Sequence, residues 1–108
     1  MKRVFLFRRE LPQEEAEKYI PAWRSWTQEL TQKGILKGGL PLTPSGKVVS
    51  QNTVESFQLA QDTVTGYAEI EAVSLDEAID IAKGCPNMQY GGKVEIREPM
   101  NMEGMFRK

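Results

Sequence analysis

The chain has 108 residues, 40% hydrophobic and 27% charged, with a formal net charge of -1 and a pI near 5.5. That length supports one modest core, so residues 1–108 read as a single domain, and the charge balance lacks the surplus of Lys and Arg that nucleic-acid binding draws on. Histidine is absent, which removes the usual general base near neutral pH, the commonest transition-metal ligand and every Ser-His or Cys-His nucleophile pair.

The first element, Lys2 to Arg9, alternates as a strand does, with Val4 and Leu6 on one side and Arg3, Phe5, Phe7 and Arg9 on the other. Its apolar run is too short for a signal peptide or a membrane span. From Gln13 to Lys33 the residues Ala16, Tyr19, Ile20, Trp23, Trp26 and Leu30 recur at helical spacing, with Gly34 as the stop. Pro21 lies inside that stretch and predicts a kink or a restart. Ile35 to Leu42 reads as a strand weakened by Gly38-Gly39, and Thr43-Pro44-Ser45-Gly46 as a turn. Lys47–Ser50 and Val54–Leu59 then pair as an extra hairpin.

Val64 to Val73 alternates again, placing Val64, Ala68, Ile70 and Ala72 opposite Thr65, Tyr67, Glu69 and Glu71. Ser74 and Glu77 have the spacing of a capping box, ahead of an apolar stripe of Leu75, Ala78, Ile79 and Ala82 that ends at Gly84. Tyr90 to Glu98 supplies the last strand, with Val94 and Ile96 on one face and Lys93, Glu95 and Arg97 on the other. The tail from Pro99 onward is rich in methionine, a composition suited to adaptable packing.

This order is that of an α+β, ferredoxin-like βαββαβ unit, in which both helices cover one face of an antiparallel sheet. Val4, Leu6, Ala68, Ile70, Val94 and Ile96 are expected beneath the helices. Phe5, Phe7, Tyr67, Glu69, Glu71, Glu95, Arg3, Arg9 and Arg97 are expected on the other face. Three aromatics there point to a covering partner, most simply a second copy, with a partly polar cavity between the subunits. Glu69 and Glu71 on that face argue against base stacking on its aromatics.

The lone Cys85 follows a helix C-terminus, where the dipole disfavours a thiolate, so it reads as a structural residue. It forms no intrachain disulfide, and a reducing, cytoplasmic setting follows as the expectation. Gly91-Gly92-Lys93 precedes a strand where a phosphate loop would open a helix, and reads as a turn. Glu69, Glu71 and Glu95 share their face with arginines that would repel a cation, so neither a metal nor another cofactor is expected. Trp23 and Trp26 have core spacing. A ligand wedged between their helix and Tyr67 or Asn87 is the functional alternative.

The segments Ser74-Leu75-Asp76-Glu77-Ala78, Ala82-Lys83-Gly84-Cys85-Pro86, Tyr90-Gly91-Gly92 and Val94-Glu95-Ile96-Arg97 resemble the C-terminal signature of the YCII-related family, also called DGPF-domain proteins. Gly66-Tyr67 and Gly38-Gly39-Leu40-Pro41-Leu42 fit the same family. The resemblance implies a dimeric α+β barrel, in which two ferredoxin-like subunits pack sheet against sheet, in small bacterial proteins. Some relatives are encoded beside alternative sigma factors, and others are suspected enzymes with a histidine and an aspartate at the active centre. In this chain Asn87 stands after Cys85-Pro86, where relatives often carry histidine, and Val54-Glu55-Ser56-Phe57 stands for the family's Asp-Gly-Pro-Phe. Asparagine exchanges no proton near pH 7, so catalysis at that position has no support.

The resulting expectation is a homodimer that binds a small molecule or a regulatory protein partner between its subunits without catalysis, with no membrane or nucleic-acid partner. Its candidate ligand-binding residues are Phe5, Phe7, Tyr67, Glu69, Asn87, Glu95 and Arg97. The alternative is an enzyme that uses Glu69 or Glu95 as acid or base with Arg97.

Overall fold

The computed structural model describes residues 1–8, 13–58 and 63–100. Six strands and three α-helices follow in the order β1 (Lys2–Arg8), α1 (Gln13–Ala16), α2 (Ile20–Gln32), β2 (Leu36–Pro41), β3 (Lys47–Val49), β4 (Val54–Ser56), β5 (Val64–Glu71), α3 (Leu75–Lys83) and β6 (Lys93–Arg97). Short 3-10 helices at Glu17–Tyr19 and Pro86–Tyr90 complete the described elements.

The main sheet has the order β2-β5-β1-β6 and is antiparallel throughout, as a ferredoxin-like unit requires. The extra hairpin forms a separate ribbon of β3 and β4, and every residue of its two strands is exposed.

The helix expected across residues 13–33 is interrupted where proline demands it. The 3-10 turn at Glu17–Tyr19 comes first, and Pro21 then sits in the first turn of α2, where its missing N–H costs no helical bond. Gly34 takes a left-handed φ of 73° just past the end of α2, a position open to glycine without steric penalty. Ser74 caps α3 as expected, its Oγ accepting from the Glu77 amide at 3.1 Å. The buried stripe of α3 differs from the expected one. Ala78 and Ala82 are buried and Ile81 packs against the core, whereas Leu75 is half exposed.

The core lies between the sheet and α2 and α3, and contains Phe5, Phe7, Trp26, Leu30, Ala68, Ile70, Ala72, Ala78, Ala82 and Cys85. Here β1 departs from expectation by one residue of phase. Phe5 pairs with Ala68 and Ile96, and Phe7 with Gly66 and Val94, so the phenylalanines share the helix side with the residues predicted there. Val4 and Leu6, opposite Glu69 and Arg97 and opposite Tyr67 and Glu95, turn to the open face.

The physical reason is that Val-Phe-Leu-Phe is apolar at both phases, so alternation cannot choose between them. The two phenylalanines offer the larger apolar area and the edge-to-face contacts that a core with two tryptophans completes. Arg3 accompanies them and is buried. Its guanidinium leaves the core at the strand end, donating to the Lys2 carbonyl at 3.2 Å and lying 3.6 Å from the Glu98 carboxylate.

Candidate functional site

Of the residues singled out from the sequence, Tyr67, Glu69, Glu95 and Arg97 share the open face of the sheet. Phe5 and Phe7 do not. They are core residues with side chains on the opposite face, and Val4 and Leu6 take the places assigned to them. Arg9 and the tail beyond Met100 lie outside the described residues.

On the open face Glu95 is the electrostatic centre. Its Oε1 accepts from Arg8 and its Oε2 from Arg97, both at 3.1 Å. Both carboxylate oxygens are therefore engaged by guanidinium groups of the same chain. Glu69 lies over Gly38 of the edge strand, so close that a Cβ there would come within 2.7 Å of its Oε2. Half-buried Val4, Leu6 and Tyr67 give this face an apolar centre among the charges.

Asn87 belongs to neither face as a surface group. It is 1% exposed, and its Nδ2 donates to the Lys93 carbonyl at 2.9 Å, tying the 3-10 helix Pro86–Tyr90 to β6. Its Oδ1 is buried with no partner among the described residues. Cys85 is buried beside it, and desolvation pushes its thiol up to about 12, with the Asn87 backbone amide pulling weakly the other way. A thiol so held is neutral at physiological pH, in keeping with a structural role.

A cleft of about 1020 Å³ lies between α2 and the β2–β5 side of the sheet. Its inner wall is aromatic. Phe7 meets Trp23 at 5.0 Å and Trp26 at 6.0 Å between ring centroids, and the two indoles meet at 5.7 Å, all edge to face. Tyr90 closes one end, its ring 4.6 Å from that of Tyr19. Burial raises the Tyr90 hydroxyl above its usual range and the Trp23 side chain bonded to it partly offsets this, so the phenol stays protonated and polar.

The outer wall is the Gly38-Gly39-Leu40-Pro41 strand. Gly39 is obligatory there, because at φ 143° a Cβ would lie 2.4 Å from the Tyr67 carbonyl oxygen. A β-bulge between Leu36 and Gly38 sets Lys37 outside the regular register, and Lys37 and Arg24 of α2 both line the cleft.

This cleft was legible in the sequence only as an alternative, the wedge between the first long helix and Tyr67 or Asn87. Tyr67 is among its lining residues although it sits at an open-face position of β5, and Asn87 is not among them. Tyr90, Arg24 and Lys37 were missed. The available signal was Gly38-Gly39, a pair that strips side chains from an edge strand facing an aromatic helix. Among the described residues no cluster of three metal-ligating groups occurs, and no helix is long and apolar enough to cross a membrane.

The fold resembles that of 5-chloro-2-hydroxyhydroquinone dehydrochlorinase from Burkholderia phenoliruptrix AC1100, solved with 2,5-dihydroxybenzoquinone. The TM-score is 0.63 and the identity 16%, over 94% of this chain and 95% of that one. No curated protein matches the sequence. The YCII-related domain matches residues 2–103, nearly the whole chain. With the α+β architecture above, that match settles the family: the chain is a member of the YCII-related domain family.

Proposed function

We propose that this protein binds a planar, largely apolar small molecule in the cleft between α2 and β2, without acid-base catalysis by the chain. The observation that carries the reading is the aromatic wall of Phe7, Trp23 and Trp26 inside a cavity of about 1020 Å³. A space of that size, mostly apolar with a few polar groups at its edges, is the usual form of a small-molecule site. The similar dehydrochlorinase was solved with a quinone bound, which lends support to a flat ring as the occupant.

Chemistry at the family's histidine position has no support, since Asn87 is buried there and bonded to a backbone carbonyl. For the enzymatic alternative, both oxygens of Glu95 are held by Arg8 and Arg97, which leaves Glu69 as its acid or base.

Both tryptophans of the chain line the cleft, so intrinsic fluorescence reports occupancy directly. Titration with 2,5-dihydroxybenzoquinone is expected to give saturable quenching, and Trp23→Ala to weaken it. Quenching that only rises linearly with concentration, as collisions give, overturns the reading.

The protein is further proposed to act as a homodimer joined through its open sheet faces. The half-buried Val4, Leu6 and Tyr67 at the centre of that face support this. Light scattering after size exclusion is expected to give twice the chain mass, and Leu6→Asp to reduce it to one. A monomeric wild type at micromolar concentration sinks the proposal.

A further inference from the structure

The cleft has a charge pattern as well as a shape. Among the described residues that line it the only ionisable groups of full charge are Arg24 and Lys37, and no carboxylate is among them. Arg24 is exposed on α2, one turn beyond Ile20, and makes no ion pair among the described residues. Lys37 is exposed on the bulge of β2 and makes no ion pair among the described residues, though its charge acts on Glu71. Glu71 is itself occupied at 3.1 Å by the Met1 amino group.

The other polar groups on the helix side of the cleft are already committed. Thr27 Oγ1 donates to the Arg24 carbonyl and Thr31 Oγ1 to the Thr27 carbonyl, at 3.0 and 2.7 Å. The charged donors facing a ligand are therefore Arg24 and Lys37, with the Thr43 hydroxyl, the Trp26 Nε1 and the protonated Tyr90 as neutral polar groups of the lining. An apolar slot with a cationic rim discriminates by charge, because like charge is repelled at the mouth while an anion gains charge-assisted hydrogen bonds there.

We infer that the ligand of the cleft is an anionic planar molecule, an aromatic ring bearing a carboxylate, sulfonate or ionised hydroxyl group. Its ring lies against Trp23 and Phe7, and its negative group meets Arg24 and Lys37. This rests on the cleft being a binding site, and names the class of molecule it accepts.

Two dyes that differ only by the anion separate the two ideas: 8-anilinonaphthalene-1-sulfonate and the neutral N-phenyl-1-naphthylamine. Each is titrated while energy transfer from Trp23 and Trp26 is followed, a signal that reports dye bound to the protein, and Trp23→Ala weakens binding only of dye held in the cleft. The sulfonate is expected to bind about tenfold more tightly than the neutral dye in low salt, with the gap narrowing as salt is raised. The double variant Arg24→Gln/Lys37→Gln is expected to bring the two affinities together while leaving that of the neutral dye unchanged. Lys83→Gln, a surface change on α3 away from the cleft, is expected to leave the tenfold preference intact. Circular dichroism checks that each variant is folded.

Equal affinities in the wild type, or a sulfonate preference that survives in the folded double variant, overturn the charge assignment and leave the cleft as a site for neutral rings. Failure of both dyes to receive energy from the tryptophans overturns the binding site and the inference with it.

Discussion

The two faces of the main sheet are built from the same strands and do different work. On the helix side Phe5, Phe7, Ala68 and Ile70 are buried against α2 and α3, with Val94 and Ile96 packed beside them. On the open side Val4, Leu6, Tyr67, Glu69, Glu95 and Arg97 mix apolar and charged groups at partial exposure. Buried apolar area stabilises a fold far more per residue than exposed ion pairs do. The comparison therefore places most of the stability of the fold on the first face.

The sharpest way to break that comparison is to truncate neighbouring residues of β1. Phe5→Ala is expected to cost about 3–5 kcal/mol in urea unfolding, since Phe5 is wholly buried. Leu6→Ala is expected to cost about 1 kcal/mol, since Leu6 is only half buried. Equal losses would mean that the open face carries as much of the fold's stability as the core.

Next in size is Gly39→Ala on the outer wall of the cleft. Its Cβ would meet the backbone of Tyr67 and Ala68 at under 3 Å, at an unfavourable φ, so a loss of about 2–3 kcal/mol is expected. Thermal unfolding measures it, and an unchanged midpoint would show that β2 yields freely.

The buried side also predicts a pH response. The Cys85 thiol titrates near 12 when folded, against 9.0 for an unperturbed thiol, so above pH 9 the unfolded chain loses its proton while the folded one keeps it. Stability is thus full below pH 9 and falls as pH rises toward 12. The decline amounts to about 1 kcal/mol between pH 9 and 10, and denaturant titrations at the two pH values measure it. In Cys85→Ala that component is expected to vanish, and a decline of the same size there would assign it to other groups.

The smallest expected effect belongs to the open face. Glu95→Gln removes two partly exposed ion pairs, with Arg8 and Arg97, and is expected to change subunit stability by under about 1 kcal/mol. A much larger loss in chemical denaturation would show that this network supports the sheet itself.

Most of the fold was open to reading because local physics decides it. The Ser74 cap, the restart at Pro21, the Gly34 stop and the β3–β4 hairpin depend on neighbours in the chain, and each occurs where expected. For β5 and β6, alternation of apolar with charged residues selected the buried face correctly. The open-face set of Tyr67, Glu69, Glu95 and Arg97 follows from the same alternation.

The sequence by itself thus determined the order of elements, the ferredoxin-like plan and the phase of every strand that alternates apolar with polar. Only the tertiary structure decided the phase of β1, because four successive apolar residues make either face acceptable. The choice fell to the phase in which Phe7 meets Trp23 and Trp26 and Phe5 packs beside it. It also decided the cleft, since Phe7, Trp23, Lys37 and Tyr90 are distant in sequence and share no local pattern. Only packing α2 across the glycine-bearing edge of the sheet brings them together.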